Sequence, residues 1–299
     1  MTSARPVRAA ALAVAGAAAL FGTSGTARAL LAPESWPPGV AAVRLLIGAV
    51  GLLGFAWYCG LFPHVRALAT HPLLWLSGVA VAGYQVAFFL GVEWTGVAVG
   101  TLVSLGLAPL MAGLLGWSIG EGAPGWPWAG VTAIAVLGLV LLTLAGGATV
   151  DLRGVAAALG AGACYSVYTV FGTSLVRSGN DSTAVMAAAF TIGAVVISPM
   201  LLGAGDWLAT PGGVALALWL GLGATSVAYV LFGRGLRWLQ PGHVATLNLI
   251  EPVVATVLGV LLLGESLEPV AWLGCALILV SLASLGLLER RPSGGSAAV

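Results

Sequence analysis

Lysine is absent from this sequence, so its eleven fixed positive charges are all arginines. Charge as a whole is scarce: Asp, Glu, Lys and Arg make up 7% of 299 residues, and the formal net charge is +1. A chain with so little charge is not the solvated surface of a soluble domain, and it offers neither a nucleic-acid footprint nor a polybasic patch for lipid headgroups. The three cysteines, Cys59, Cys164 and Cys275, stand apart in apolar runs, which excludes a disulfide framework and a metal knuckle. His64, His71 and His243 are equally scattered, so no metal site and no cofactor is expected. A phosphate-cradling glycine loop is also missing, which argues against nucleotide-driven work.

What is present is apolar. Hydrophobic residues form 60% of the chain and glycine contributes 44 residues, a composition that belongs in a lipid bilayer. A helix needs about 20 apolar residues to cross about 30 Å of hydrocarbon. Ten such segments fit, near residues 8–28, 39–60, 72–92, 96–117, 126–145, 154–176, 183–203, 212–233, 242–263 and 269–288. The expected fold is therefore all-α: a polytopic membrane protein of ten transmembrane helices joined by short turns. The N-terminal stretch "MTSARPVRAAALAVAGAAALFGTSGTARA" also has the layout of a cleavable signal peptide. We read it as the first span, because a second span follows at once. With the N-terminus in the cytoplasm, Arg5, Arg8, Arg66, Arg177, Arg234, Arg237, Arg290 and Arg291 all fall inside and only Arg28 and Arg153 fall at outer ends. Both termini are then expected to be cytoplasmic, in a plasma (inner) membrane.

The second half repeats the first weakly. "IGAV" occurs at Ile47–Val50 and again at Ile192–Val195; Phe88, Gly91 and Trp94 match Phe232, Gly235 and Trp238; Pro109, Ala112 and Gly116 match Pro252, Ala255 and Gly259. Gly120–Glu121 likewise matches Gly264–Glu265. A five-span module used twice must enter the membrane from opposite sides, which predicts two inverted five-helix repeats, residues 1–147 and 148–290, followed by a disordered cytoplasmic tail, 291–299. Inverted halves are chiefly a property of alternating-access carriers, whose solute site lies near the midplane.

The closing portion, "GATSVAYVLFGRGLRWLQPGHVATLNLIEPVVATVLGVLLLGESLEPVAWLGCALILVSL", resembles the EamA domain of the drug/metabolite transporter superfamily, with Glu-Pro in the ninth span and Gly-Glu just after it. "AGYQVAFFLGVEWTGVAVGTLVSLGLAPLMAGLLGWSIGEGAPGWPWAGV" resembles the same pattern with Ala108–Pro109 in place of Glu-Pro. The resemblance implies a ten-helix inner-membrane carrier that exports amino acids, other metabolites or toxic compounds.

Glu251 is the most expensive residue of the chain, since a charged side chain at a helix centre costs about 2.5 to 3.5 kcal/mol on insertion. Asn248, one turn earlier, is able to donate to it, and Pro252 is expected to free the Asn248 carbonyl. Glu251 is either a substrate or proton site or a cap for a kinked helix; Pro109 keeps the kink without the acid. Arg44 either pairs with Glu34 or contacts an anion such as a substrate carboxylate. Tyr165 and Tyr168 in the sixth span, Tyr84 and Gln85 in the third, and Ser104 in the fourth either tie helices together or line a mildly polar cavity. Pro109, Pro252, Glu121 and Glu265 read as structural or hinge residues. The leading expectation is a secondary transporter for a small-molecule solute, not an enzyme, with proton coupling through Glu251 as an option. A membrane enzyme acting on a lipid, or a noncatalytic membrane subunit, stands as the alternative. Substrate and oligomeric state are not readable.

Overall fold

The computed structural model describes residues 4–120, 125–144, 151–264 and 268–288. Every regular element among them is helical. The chain runs through α1 (Ala4–Leu31), α2 (Pro37–Tyr58), α3 (Phe62–Leu68), α4 (Pro72–Ser118), α5 (Trp126–Leu144), α6 (Leu152–Arg177) and α7 (Ser182–Ile197). Two 3-10 turns, Ser198–Gly203 and Asp206–Ala209, lead into α8 (Pro211–Leu218), a π-helical stretch (Trp219–Val227) and α9 (Ala228–Leu236). The chain then continues as α10 (Pro241–Leu247), α11 (Ile250–Leu263) and α12 (Pro269–Leu288).

The ends of these helices follow from the sequence. Proline, which needs no backbone donor in a first turn, opens α2, α4, α8, α10 and α12. Side chains satisfy other free N–H groups: Asp151 accepts from Arg153 N at 2.8 Å and Asp181 from Thr183 N at 2.8 Å. His71 does the same for Leu73 N at 3.3 Å, which gives this histidine a capping role at the start of α4. At the other ends, Gly60 follows α2 and Gly264 follows α11 with φ of 72° and 70°, backbone that a side chain would strain.

Seven described helices are long and apolar enough to cross a membrane, and three shorter apolar helices, Val103–Ser118, Trp126–Leu141 and Trp272–Ser281, lie where the fourth, fifth and tenth spans are expected. The helical run of α4, 47 residues, would be about 70 Å long if straight, far more than a bilayer. It folds back. A Cβ at Gly83 would lie 2.9 Å from the Cys164 sulfur, while the Ala108 carbonyl accepts from Ser166 at 3.4 Å. Residues about 37 Å apart in a straight helix thus meet neighbouring points of α6, so the run reverses between Gly91 and Ser104.

α1 packs between α9 and α11, and α6 packs on both arms of α4. α2 lies against α7 and the π-helical stretch, and α5 pairs with α12. Lipid tails are as apolar as leucine, so close packing rather than water exclusion holds such helices together, and small residues mark the contacts. A Cβ at Gly22 of α1 would stand 2.6 Å from the Glu251 carbonyl oxygen of α11. One at Gly162 of α6 would stand 2.9 Å from the Ser104 carbonyl of α4. Two expected spans are interrupted in ways that periodicity does not reveal: the eighth contains the π-helical stretch, and the ninth breaks at Asn248–Leu249. Glu121, Glu265 and the 291–299 tail lie outside the described residues.

Candidate functional site

The break between α10 and α11 is built around Pro252, whose ring nitrogen has no proton to donate one turn back. The chain tightens instead of leaving that acceptor bare. Glu251 N donates to the Asn248 carbonyl at 2.9 Å, and Leu249 N to the Thr246 carbonyl at 3.1 Å. The expectation that the Asn248 carbonyl is free is therefore corrected: a three-residue turn takes it up. The same turn brings the two side chains together, with Asn248 Nδ2 donating to Glu251 Oε2 at 3.2 Å. Because a carboxylate only accepts, the amide presents its nitrogen to Glu251 and turns its oxygen away. That oxygen, Asn248 Oδ1, is buried and has no partner within the protein.

Arg44 comes from α2 and lines the same cavity, within electrostatic reach of Glu251. Its Nε donates to Thr225 Oγ1 at 3.0 Å and its Nη2 to the Ala224 carbonyl at 3.1 Å. Both partners belong to the π-helical stretch, where the wider i to i+5 pattern alters which carbonyls are free for a side chain. The expected pairing of Arg44 with Glu34 is not what the structure shows. Glu34 sits on the α1–α2 turn, where Arg28 bonds the Ser35 carbonyl at 2.6 Å and Ser35 Oγ at 3.1 Å. Sequence proximity favours Glu34, but the helix places Arg44 facing inward.

Arg44 and Glu251 line one cavity of about 730 Å³. The cavity reaches the exposed Pro33 and Glu93 at the end of the molecule that carries the α1–α2 turn. Its wall is aromatic. The centroids of Tyr165 and Tyr168 are 5.1 Å apart, and Tyr84 lies 6.0 Å from Tyr165 and 6.2 Å from Tyr168. The Tyr168 and Tyr229 hydroxyls are 3.4 Å apart. Tyr165 OH and Thr169 Oγ1 are neighbours outside hydrogen-bond geometry, and both are buried without a partner, as is Ser24 Oγ.

At the other end the packing is closed. Thr132 and Thr246 share a hydroxyl bond of 3.0 Å between α5 and α10, and a Cβ at Gly242 would lie 2.8 Å from the Trp128 ring. Arg177 Nη2 donates to the Leu239 carbonyl at 3.0 Å. His243 belongs to this plug, its ring centroid 6.3 Å from that of Trp128.

The structure brings together Glu251, Asn248, Arg44, Tyr84, Gln85, Tyr165 and Tyr168 around the cavity. Ser104 is not among them; it is buried where α4 meets α6. Pro252 lines the cavity, whereas Pro109 is buried in α4 away from it. Sequence reasoning passed over Tyr229, Phe21 and Phe88, which also face the cavity. Of five tyrosines, Tyr58 is exposed and the other four all line the cavity, a pattern that only the structure displays. Among the described residues, no group of three or more His, Cys, Asp or Glu is placed to hold a metal ion.

The sequence profile of the EamA-like transporter family matches residues 152–287. An uncharacterized transporter of Bacillus subtilis (strain 168), YwfM, is 37% identical over 284 residues, spanning 94% of this chain and 95% of its own. The threonine/homoserine exporter RhtA of Escherichia coli (strain K12) is 31% identical over 287 residues, 92% of this chain and 90% of its own. One crystal structure shares the fold, with a TM-score of 0.80 at 21% identity, over 94% of this chain and 98% of that one. With a relative this similar over nearly its whole length, the chain belongs to the EamA-like transporter family of membrane proteins.

Proposed function

We propose that the protein is a secondary carrier that exports a small organic solute, an amino acid or a metabolite of similar size, across the inner membrane by alternating access. The observation that carries this reading is the cavity itself. It is large enough for such a solute, is bounded by helices of both halves, and contains an arginine and a glutamate that bilayer depth makes costly to keep without a use.

Residues 1–147 and 148–290 act as two inverted halves in this reading. The exchange of packing partners supports it: α1 of the first half sits on α9 and α11 of the second, and α6 of the second sits on both arms of α4 of the first. Rocking of the halves about the α2–α7 and α5–α12 pairs would open the closed end and close the open one. The arginine bias supports cytoplasmic termini, and in this reading the open end faces outward. Relatives named as threonine/homoserine exporters make amino acids the first solutes to test. Glu251 is the group through which a proton gradient would drive export.

The test is efflux. Cells overproducing the protein should tolerate raised levels of an amino acid and empty a preloaded pool faster than control cells. Purified protein in liposomes should exchange the same solute, faster with an imposed proton gradient. Absence of any solute exchange by the folded, reconstituted protein would refute the carrier reading.

A further inference from the structure

We propose that Arg44 and Glu251 are the two poles of one clamp, which selects solutes carrying a carboxylate and an ammonium group together. The inference rests on the carrier reading above and adds to it which residues read the solute and what they reject.

The two charges share a cavity and lie within electrostatic reach of each other, yet their direct hydrogen-bond partners are other groups. Each is held from behind by neutral groups: Arg44 by Thr225 and the Ala224 carbonyl, Glu251 by Asn248. Were either charge only structural, direct pairing would be the cheaper arrangement at this depth, because an unpaired buried charge is the costliest state. The anchors prevent that collapse and leave complementary groups turned inward.

At the Arg44 pole, two of the five guanidinium N–H groups are occupied by the π-helical stretch. The remaining donors are those of a planar fork, a shape matched to a carboxylate. At the Glu251 pole the free groups are acceptors. Glu251 uses Oε2 for Asn248 and keeps Oε1, and Asn248 Oδ1 is buried with no partner. An acceptor-only amide oxygen calls for a donor, and an ammonium supplies three. Tyr84, Tyr165, Tyr168 and Tyr229 form the adjoining wall, where ring faces attract an ammonium and repel an anion. Arg28 and Glu93 also reach the cavity, but at its mouth, and Arg28 is engaged with Ser35. The deep pair alone is left with opposite charges on separate anchors. A zwitterion satisfies both poles at once; a solute with one charge leaves the other pole desolvated and unmatched.

The experiment measures ligand-induced thermal stabilisation and counterflow with the full-length protein in lipid nanodiscs and liposomes, using the twenty common L-amino acids. For the tightest binder, the carboxamide, which lacks the carboxylate, and the N-acetyl derivative, which lacks the ammonium, are then compared. We expect each derivative to bind about tenfold to a hundredfold more weakly than its parent. Arg44→Gln should erase the discrimination against the carboxamide and keep that against the N-acetyl derivative; Glu251→Gln should do the reverse. A residue with only a structural role would not produce that crossed pattern. If the variants fail to fold, the derivative series on the wild type decides alone. Equal binding of parent and derivatives overturns the clamp. Counterflow of other organic solutes with no amino-acid binding also overturns it and leaves the carrier reading standing, whereas no flux of any solute defeats both.

Discussion

Arg44 of α2 donates to the carbonyl of Ala224, 180 residues away, at 3.1 Å. That bond joins distant parts of the chain at the wall of the cavity, and its acceptor lies in the π-helical stretch. π-Helical segments are rare and recur at functional sites. Here the stretch also packs tightly on α2. The Gly48 and Gly221 positions have no room for a Cβ beside the Thr225 and Ile47 side chains, respectively, so α2 and the stretch meet closely near Arg44.

Thr225→Val removes the 3.0 Å bond to Arg44 Nε while keeping the side-chain shape against Gly48. Solute affinity should fall about tenfold, the size of one charge-assisted hydrogen bond, with the melting temperature nearly unchanged. Titration of the purified variant with the transported solute measures it. A wild-type affinity would show that Arg44 needs no anchor.

Gly22→Ala places a methyl 2.6 Å from the Glu251 carbonyl oxygen and 2.8 Å from Val254 Cβ, atoms that cannot swing aside. Overpacking of this kind costs about 1 to 3 kcal/mol, and the melting temperature should drop accordingly. Gly54→Ala has nothing within 4 Å of the new methyl and should not destabilise. Equal melting of the two variants in detergent would contradict the close α1–α11 contact.

Much of the fold is legible in the sequence because hydropathy reports bilayer depth. The ends of the helices are marked by proline and aspartate, and Glu251 announces itself by its cost in lipid. The inward face of each helix is less legible. Lipid and neighbouring helices are equally apolar, so Tyr229 in "SVAYVLF" looks no different from a lipid-facing aromatic. Ser104, polar at the right depth, was an equally reasonable candidate and packs elsewhere. Of the two readings of Arg44, pairing with Glu34 fails because its partners, Thr225 and the Ala224 carbonyl, lie in a distant span whose π-helical geometry has no residue signature.

Tyr229→Phe and Tyr229→Ala should separate packing from hydrogen bonding. The hydroxyl contact with Tyr168 is long, 3.4 Å, whereas the ring lies 4.0 Å from Phe190 and 4.9 Å from Phe21, centroid to centroid. The phenylalanine variant should transport within about threefold of wild type, because a bond that long contributes little. The alanine variant should lose about 3 to 5 kcal/mol of stability, as large aromatic truncations do. Flux assays and thermal melts on the pair test this; equal losses would make the hydroxyl the important group.

Asn248→Leu leaves Glu251 without its donor and removes the orphaned amide oxygen together. Transport should fall at least about tenfold while the helices remain, since a buried carboxylate without its bond costs about 1 to 3 kcal/mol. Circular dichroism and counterflow on the same preparation separate the two effects. Normal flux would assign Asn248 to packing alone.

In the proposed cycle solute passes by alternate opening of the two ends of one cavity. It is tested most directly by locking the closed end. Thr132 and Thr246 touch through hydroxyls 3.0 Å apart, so cysteines at both positions, in a chain whose Cys59, Cys164 and Cys275 are replaced by alanine, should form a disulfide. The oxidised protein should bind solute from the open side, carry none across the liposome membrane, and regain flux on reduction. Undiminished flux with the disulfide closed would contradict the cycle.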